Sequence, residues 1–444
     1  VVCLNIRNEI SLEEFRNKIN DFNPSIVGFS CTSHQLKYLI KYSKELEKYT
    51  EILQIAGGVA STLDAEQILS RSSVKGACIG EGEMPLEHLL ANIEKGQDIS
   101  DTEGFYWSIN NEIKKNRVPS FVPDLSVLDF PDYSIFEKNV VVREGNLLVM
   151  LSRGCPYNCH YCCNNALRSV YPSPAGYFRL PSVEYSIRLL ERLINQYPET
   201  RFISSEDDLL IANKTWFKNF AEEYRTRINL PYRLCARVEC ITPDIIKALK
   251  YSGCKRISLG LESGNESLRS NLLNRKYSNN FFIEKTKLIK NADIDLFTFN
   301  IVGFPSEGKK EMNDTFKLNK EIKPDGGICT FFYPYKGTKL YKMCNEKNLL
   351  KTDDGIIEIT NYNTRPSIKM SAKQEKQCIY FQKKILHYLD RQSELKEVRN
   401  LPFGIRKYLI AIYYWGRSTL KTIPWVYRIF KRLYRLLGIR VFLR

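Results

Sequence analysis

Cys155, Cys159 and Cys162 are spaced Cys-x3-Cys-x2-Cys within the stretch Arg153-Gly154-Cys155-Pro156-Tyr157-Asn158-Cys159-His160-Tyr161-Cys162-Cys163. Thiolates are soft ligands suited to zinc or to iron–sulfur clusters. Three of them in one short loop can hold three corners of a cubane and leave a fourth iron open, as a catalytic metal requires. The alternatives are a zinc site completed by Cys163 or His160, or a group of buried thiols without metal. No second Cys/His pair lies nearby, and the adjacency of Cys162 and Cys163 makes joint chelation awkward.

The surrounding elements read as α/β, with an N-terminal Rossmann-like (flavodoxin-type) parallel sheet, a partial (β/α)6 TIM barrel and a helical C-terminal extension. In the first part, strands are expected at Val1–Ile6, Ser25–Ser30, Glu51–Ala56 and Val74–Ile79. Helices follow the capping pair Ser11 and Glu14, over Gln35–Tyr49, and from near Pro85, before a hairpin over Phe105–Asn116 turning at Asn110-Asn111. Residues 1–118 thus form one α/β domain, and Pro119, Pro123 and Pro131 mark a linker over 119–140. Six strands then alternate with helices over 141–341: Leu147–Leu151, Arg201–Ser205, Tyr232–Val238, Arg256–Leu261, Leu296–Val302 and Cys329–Tyr333. In such a barrel the chemistry belongs on the loops after the strands, and the cysteine loop begins directly after the first. Residues 342–400 read as a polar helical extension and 401–444 as a basic aromatic tail.

Three cysteines in this spacing after a first barrel strand resemble the radical S-adenosylmethionine (radical SAM) superfamily. The resemblance implies a 4Fe-4S cluster on Cys155, Cys159 and Cys162, whose open iron chelates SAM, and reductive cleavage to a 5′-deoxyadenosyl radical. It also implies an external one-electron donor of the flavodoxin or ferredoxin type. Tyr161 stands in the family's aromatic position beside the adenine. Ser258-Leu-Gly-Leu-Glu262-Ser-Gly264 is similar to the fourth-strand motif, with Ser258 and Glu262 assigned to SAM. Ser205 and Glu206, in the run Ser204-Ser205-Glu206-Asp207-Asp208 that ends the second strand, fall where related enzymes carry an acidic or small-residue motif near the methionine moiety, although three acids in a row also suit a solvated turn. Arg237 reads either as a carboxylate ligand or as a structural ion pair. Asn300-Ile-Val-Gly303-Phe-Pro305 and Tyr333-Pro-Tyr-Lys-Gly337-Thr338 resemble the closing strands of the branch that carries an N-terminal cobalamin-binding domain.

Within that branch, Ser30, Thr32, Gly57, Gly58, Gly80 and Glu81 resemble cobalamin contacts. Glycines let backbone approach a large flat cofactor and hydroxyls reach its nucleotide tail. The branch's usual first strand and its Asp-x-His-x-x-Gly loop would lie before Val1, so the resemblance assigns no axial ligand. His34 reads as a helix-start residue. The expected reaction is methylation of an unactivated carbon. Radical rearrangement, cyclisation or oxidation, tRNA methylthiolation, and a zinc-stabilised, membrane-recruited binding module without catalysis are the rivals.

Composition bounds the setting. The chain of 444 residues is 43% apolar and 26% charged, as expected of a folded protein of two or three domains. Thirteen cysteines, an odd count dispersed around one tight cluster, read as reduced thiols and a cytoplasmic location rather than a disulfide scaffold. No signal peptide or transmembrane run is expected, although the absence of an initiator Met leaves targeting open. The formal charge of +16 is concentrated at the end, where Leu401–Arg444 holds ten Lys or Arg and no Asp or Glu. Trp415 and Trp425 beside Arg428, Lys431, Arg432 and Arg435 suit an interfacial helix on an anionic membrane inner face, with packing and nucleic acid as weaker readings. A small-molecule or lipid-linked substrate is expected; nucleic acid is not.

Overall fold

The computed structural model describes residues 3–4, 10–353, 356–357 and 364–397. The expected strand Val1–Ile6 falls almost wholly outside them, and so does the whole tail 401–444.

The N-terminal part runs α1 (Leu12–Phe22), β1 (Ile26–Ser30), α2 (Leu36–Glu45), β2 (Leu53–Gly57), α3 (Gly58–Arg71), β3 (Gly76–Cys78), α4 (Glu83–Glu94), β4 (Phe105–Ile109) and β5 (Glu112–Lys115). Ser11 caps α1 by accepting from the Glu14 amide, and Asn23 ends it in the left-handed region. Strands β1, β2 and β3 are parallel, and the β4–β5 hairpin adds antiparallel to β3. Asn110 and Asn111, at φ 50° and 66°, make the two-residue turn whose backbone twist suits a hairpin. Leu36, Ala56, Ile68 and Ala77 pack into one core beneath this sheet.

After the linker come α5 (Lys138–Val141), β6 (Val142–Arg143), β7 (Asn146–Val149), α6 (Cys163–Arg168), α7 (Val183–Gln196), β8 (Phe202–Ser205), α8 (Lys214–Arg227), β9 (Tyr232–Ala236), α9 (Pro243–Tyr251), β10 (Cys254–Glu262), α10 (Asn279–Asn291), β11 (Asp295–Val302), α11 (Lys309–Ile322) and β12 (Gly326–Phe331). Strands β7 to β12 are parallel and lie side by side in chain order, with β6 returning antiparallel at one edge. The sheet is a curled half-barrel. Near-continuous burial along β10, with Ile257, Leu259 and Leu261 fully buried, is what a central strand covered on both faces requires.

The extension was expected to be helical throughout. It contains α12 (Lys339–Glu346), a short antiparallel pair β13 (Thr352–Asp353) and β14 (Ile356–Ile357), and α13 (Ala372–Glu397). Helix α13 lays Cys378, Phe381, Ile385 and Leu389 against β11, β12 and α11, which covers the last barrel strand. The proline-rich linker is also tied down. Its Asp124 and Asp132 cap short turns, and Val122 O accepts from Arg179 at 2.6 Å.

Candidate active site

The end of β7 is fixed before the cysteine loop starts. Asp207, 1% exposed, accepts from the Leu151 amide at 2.9 Å, from the Ser152 amide, from the Ser152 hydroxyl at 2.5 Å and from the Ser205 hydroxyl at 2.6 Å. Arg153 then pairs with Arg179 through two backbone hydrogen bonds, and Gly154 turns the chain at φ 78°. A Cβ at Gly154 would stand 2.6 Å from the Tyr177 carbonyl, so only glycine allows the loop to leave here.

The loop is held from its far side by the segment after β10. The His160 amide donates to Leu273 O at 3.2 Å, the His160 ring meets Leu272 O at 3.0 Å, and the Asn274 side chain donates to Asn158 O at 2.7 Å. Cys162 is the N-cap of α6. The three thiols therefore share one pinned loop, although no three His, Cys, Asp or Glu among the described residues are gathered closely enough to chelate an ion as they stand.

Burial pushes the Cys155 thiol up to about 12, and burial also raises Cys159 against the opposing charges of Arg237 and Arg275. Such thiols stay protonated in neutral water unless a metal takes up their charge. The donor set is thus of a kind suited to a thiolate-held iron–sulfur cluster. A guanidinium is already in place for the resulting anion. Arg237, following β9, points its Nη1 at Cys159 Sγ at 2.6 Å, lies 3.8 Å over the Tyr157 ring and pairs through Nη2 with Glu239.

Glu262 ends β10 at φ 62°, where the register against β11 shifts by one residue. Burial raises its pKa, opposed by Arg275, whose Nη1 lies 3.0 Å from both Glu262 Oε1 and the Tyr161 hydroxyl. Arg275 Nη2 also donates to Gly260 O at 2.7 Å. Tyr161, Glu262 and Arg275 form one buried polar cluster, and Tyr161 sets its ring edge against Phe304 with centroids 6.2 Å apart.

The expected site residues separate into groups. Tyr161, Arg237 and Glu262 converge on the cysteine loop. Ser258 is buried within β10, Ser205 is spent on Asp207, and Gly303 gives its amide to Glu307 at 2.5 Å. Glu206 is exposed and forms a surface ion pair with Arg233, because β8 has ended and its side chain turns outward. Its neighbour Asp208 is the acid that faces the loop. It hydrogen-bonds Asn164, and its charge is felt by Cys155, Cys162 and Cys163. Arg275 has no place in the sequence reading, and Asp207 and Asp208 enter it only as members of the acidic run, not as site residues. No spacing signal marked Arg275.

On the N-terminal sheet, Ser30 and Gly57 sit at the carboxyl ends of β1 and β2, and Gly57 faces open space. Gly58 packs so closely on Cys31 that a Cβ would lie 3.1 Å from its carbonyl. This open, side-chain-poor rim fits a broad flat cofactor. Thr32 closes a turn through its bonds to Gln35. Gly80 and Glu81 serve the domain junction instead. The Glu81 amide donates to the Tyr171 hydroxyl at 2.9 Å, and its carboxylate pairs with Arg179 and Arg153. The His34 ring lies tilted against Tyr333, centroids 4.3 Å apart, and Lys336 pairs with Asp64, so both parts meet at the carboxyl ends of their strands.

A curled parallel half-barrel with this cysteine loop, joined to a parallel domain at its mouth, defines the class. Residues 149–318 match the radical SAM superfamily and residues 1–90 match the B12-binding domain. The chain is a radical SAM enzyme with an N-terminal B12-binding domain, and its cofactors are a 4Fe-4S cluster, SAM and cobalamin.

Among known proteins, it is 24% identical over 351 residues to an uncharacterized methyltransferase of Pyrococcus horikoshii, covering 78% of this chain and 74% of the relative. It is 23% identical over 406 residues to the anaerobic magnesium-protoporphyrin IX monomethyl ester cyclase of Cereibacter sphaeroides, covering 85% of this chain and 63% of the cyclase. The fold is shared with the cobalamin-dependent radical enzyme OxsB, solved with aqua-cobalamin (TM-score 0.68, 16% identity, 92% of this chain and 65% of that one). It is also shared with the methyltransferase TsrM of Kitasatospora setae, solved with cobalamin and a [4Fe-4S] cluster (TM-score 0.63, 14% identity, 78% and 70%). No helix among the described residues is long and apolar enough to cross a membrane.

Proposed function

We propose that this enzyme methylates an unactivated carbon of a small-molecule substrate. The observation that carries the reading is the meeting of the two domains: the open rim at Ser30 and Gly57 and the cysteine loop both lie where strand carboxyl ends face each other across the junction. When bound, the cluster and SAM supply the hydrogen-abstracting radical and cobalamin supplies the methyl group.

The protein's own groups bind, orient and exclude water. Cys155, Cys159 and Cys162 hold the iron. Tyr161 and Glu262, locked by Arg275, form the wall for SAM, and Asp208 takes the place that sequence reasoning gave to Glu206. Ser30, Thr32, Gly57 and Gly58 border cobalamin. Tyr333 and His34 close the seam between the domains and keep solvent from it.

The test is anaerobic reconstitution with iron and sulfide, reduction in the presence of SAM, and measurement of 5′-deoxyadenosine against a Cys159→Ala variant. Product from the parent alone supports the reading; equal product from both, or a chain that takes up only zinc, refutes it. Methyl transfer itself requires a methylated product that depends on added cobalamin. A cyclisation without methyl gain would favour the chemistry named for the Cereibacter relative.

A lipid-linked substrate at a membrane inner face rests on the composition of 401–444. Sedimentation with anionic vesicles, lost on truncation at Leu401, would support it. An external flavodoxin- or ferredoxin-type carrier would deliver the electron.

A further inference from the structure

We infer that Arg237 sets the reduction potential of the iron–sulfur cluster by donating a charged hydrogen bond to the sulfur of Cys159. The inference rests on Cys159 being a cluster ligand, as proposed above. Its observations are geometric. The guanidinium stands 2.6 Å from Cys159 Sγ through Nη1, and its plane is supported 3.8 Å from the Tyr157 ring. Arg237 is 8% exposed, and its Nε has no hydrogen-bond partner. Tyr157 is in turn placed by its hydroxyl, 3.6 Å from Cys240 Sγ, in the short turn that follows Arg237. A buried arginine spends its donors where they offset a charge. Here the near acceptors are a thiol sulfur on one side and Glu239 on the other.

Hydrogen bonds to ligating sulfur, local charge and solvent exposure set cluster potentials. On reduction one electron enters from the chemical reductant, the cluster's formal charge falls by one, and no protein bond or proton is exchanged. A fixed positive charge at a ligating sulfur stabilises the more negative state, so Arg237 raises the potential. Glu239 draws on the same guanidinium and moderates the effect; its Oε2 is buried without a partner of its own. The pair therefore forms a two-residue control with opposite signs.

The experiment is an EPR-monitored redox titration of the reconstituted holoenzyme without SAM, comparing the parent with Arg237→Gln, Arg237→Lys and Glu239→Gln. Arg237→Gln should make the cluster roughly tenfold or more harder to reduce at fixed potential, a downward shift of about 59 mV for one electron. Arg237→Lys should fall between it and the parent, since the charge stays and the planar support is lost. Glu239→Gln should shift the potential upward. Loss of packing alone would move Arg237→Gln and Glu239→Gln the same way, so opposite shifts support the inference and parallel shifts overturn it. Unchanged midpoints at full iron content also overturn it, including the case in which Arg237→Gln weakens only SAM binding. Should Arg237→Gln fail to retain iron, the Arg237→Lys and Glu239→Gln shifts decide. A parent that binds no reducible cluster would instead refute the underlying reading.

Discussion

Asp207 offers the sharpest test of how the cysteine loop is positioned. Its carboxylate receives two backbone amides, from Leu151 and Ser152, and two hydroxyls, from Ser152 and Ser205. Asp207→Ala leaves both amides buried without a partner, whereas the hydroxyls can turn to other acceptors. An unsatisfied buried amide costs about 1–3 kcal/mol, so the pair costs about 2–6 kcal/mol locally. At about 1.4 kcal/mol per tenfold, an opening cost reduced by about 2 kcal/mol at each site gives roughly thirtyfold faster exchange there. Hydrogen exchange on peptides spanning 147–155 reads this directly, and iron retained per chain after reconstitution reads its consequence. Asp207→Asn keeps one acceptor and should lie between. Unchanged exchange at Leu151 and Ser152, with full iron in Asp207→Ala, would refute the claim that this carboxylate holds the loop.

Three further outcomes follow from particular contacts. A Cβ at Gly260 would collide with Glu262 Oε1 and stand 2.9 Å from Arg275 Nη1, so Gly260→Ala should displace Glu262 and raise the KM for SAM about tenfold or more, with iron content unchanged. Glu206→Gln should leave 5′-deoxyadenosine formation unchanged and stability within about 0.5 kcal/mol, because its pair with Arg233 is at the surface; a large loss of activity would restore the role first expected of it. Burial pushes Glu307 up to about 8 from its ordinary 4.5, against the Gly303 and Phe304 amides that it accepts. The folded chain then keeps a proton that the unfolded chain releases. Stability from this group is full below about pH 4.5 and is lost as pH rises toward 8, by up to about 5 kcal/mol. Denaturant titrations of parent and Glu307→Gln should show a difference that changes with pH over this window, and a constant difference would refute it.

The strands were legible because hydrophobic runs of parallel strands are short, β-branched and punctuated. The expected Arg256–Leu261 and Leu296–Val302 lie within β10 and β11. The cysteine spacing was equally legible, since ligand spacing is a local property of the chain. What could not be read was the partner of each polar side chain. In the run Glu206-Asp207-Asp208, three adjacent acids face a surface arginine, two buried amides and the cysteine loop, because the strand ends at Ser205 and successive residues then point in different directions. Arg275 escaped notice for a similar reason. It lies 13 positions from Glu262 and 114 from Tyr161, and only the fold brings them together.

The most instructive departure is Glu81. The sequence presents Gly80-Glu81 as a cofactor-side loop, whereas the structure uses its carboxylate to join the N-terminal domain to Arg179 and Arg153, the latter two residues before Cys155. Arg179 is only 5% exposed in its side chain, and Phe121 of the linker lies 4.2 Å beneath its guanidinium. Charges withdrawn from water in this way contribute little net stability but penalise any arrangement that separates them. The junction therefore specifies a geometry more than it strengthens the fold. Asp64 and Lys336 add a more exposed ion pair at the other side of the seam, where Asp64 also breaks the helical path of α3 at φ −144°. A reaction that needs two large cofactors held against one substrate depends on distances between domains, and orientation errors of about 1 Å can cost a hundredfold in rate. Ion pairs on both sides of an aromatic seam, the Glu81–Arg179 pair withdrawn from water, are a means of fixing those distances while the rim and the loop between them stay free to bind.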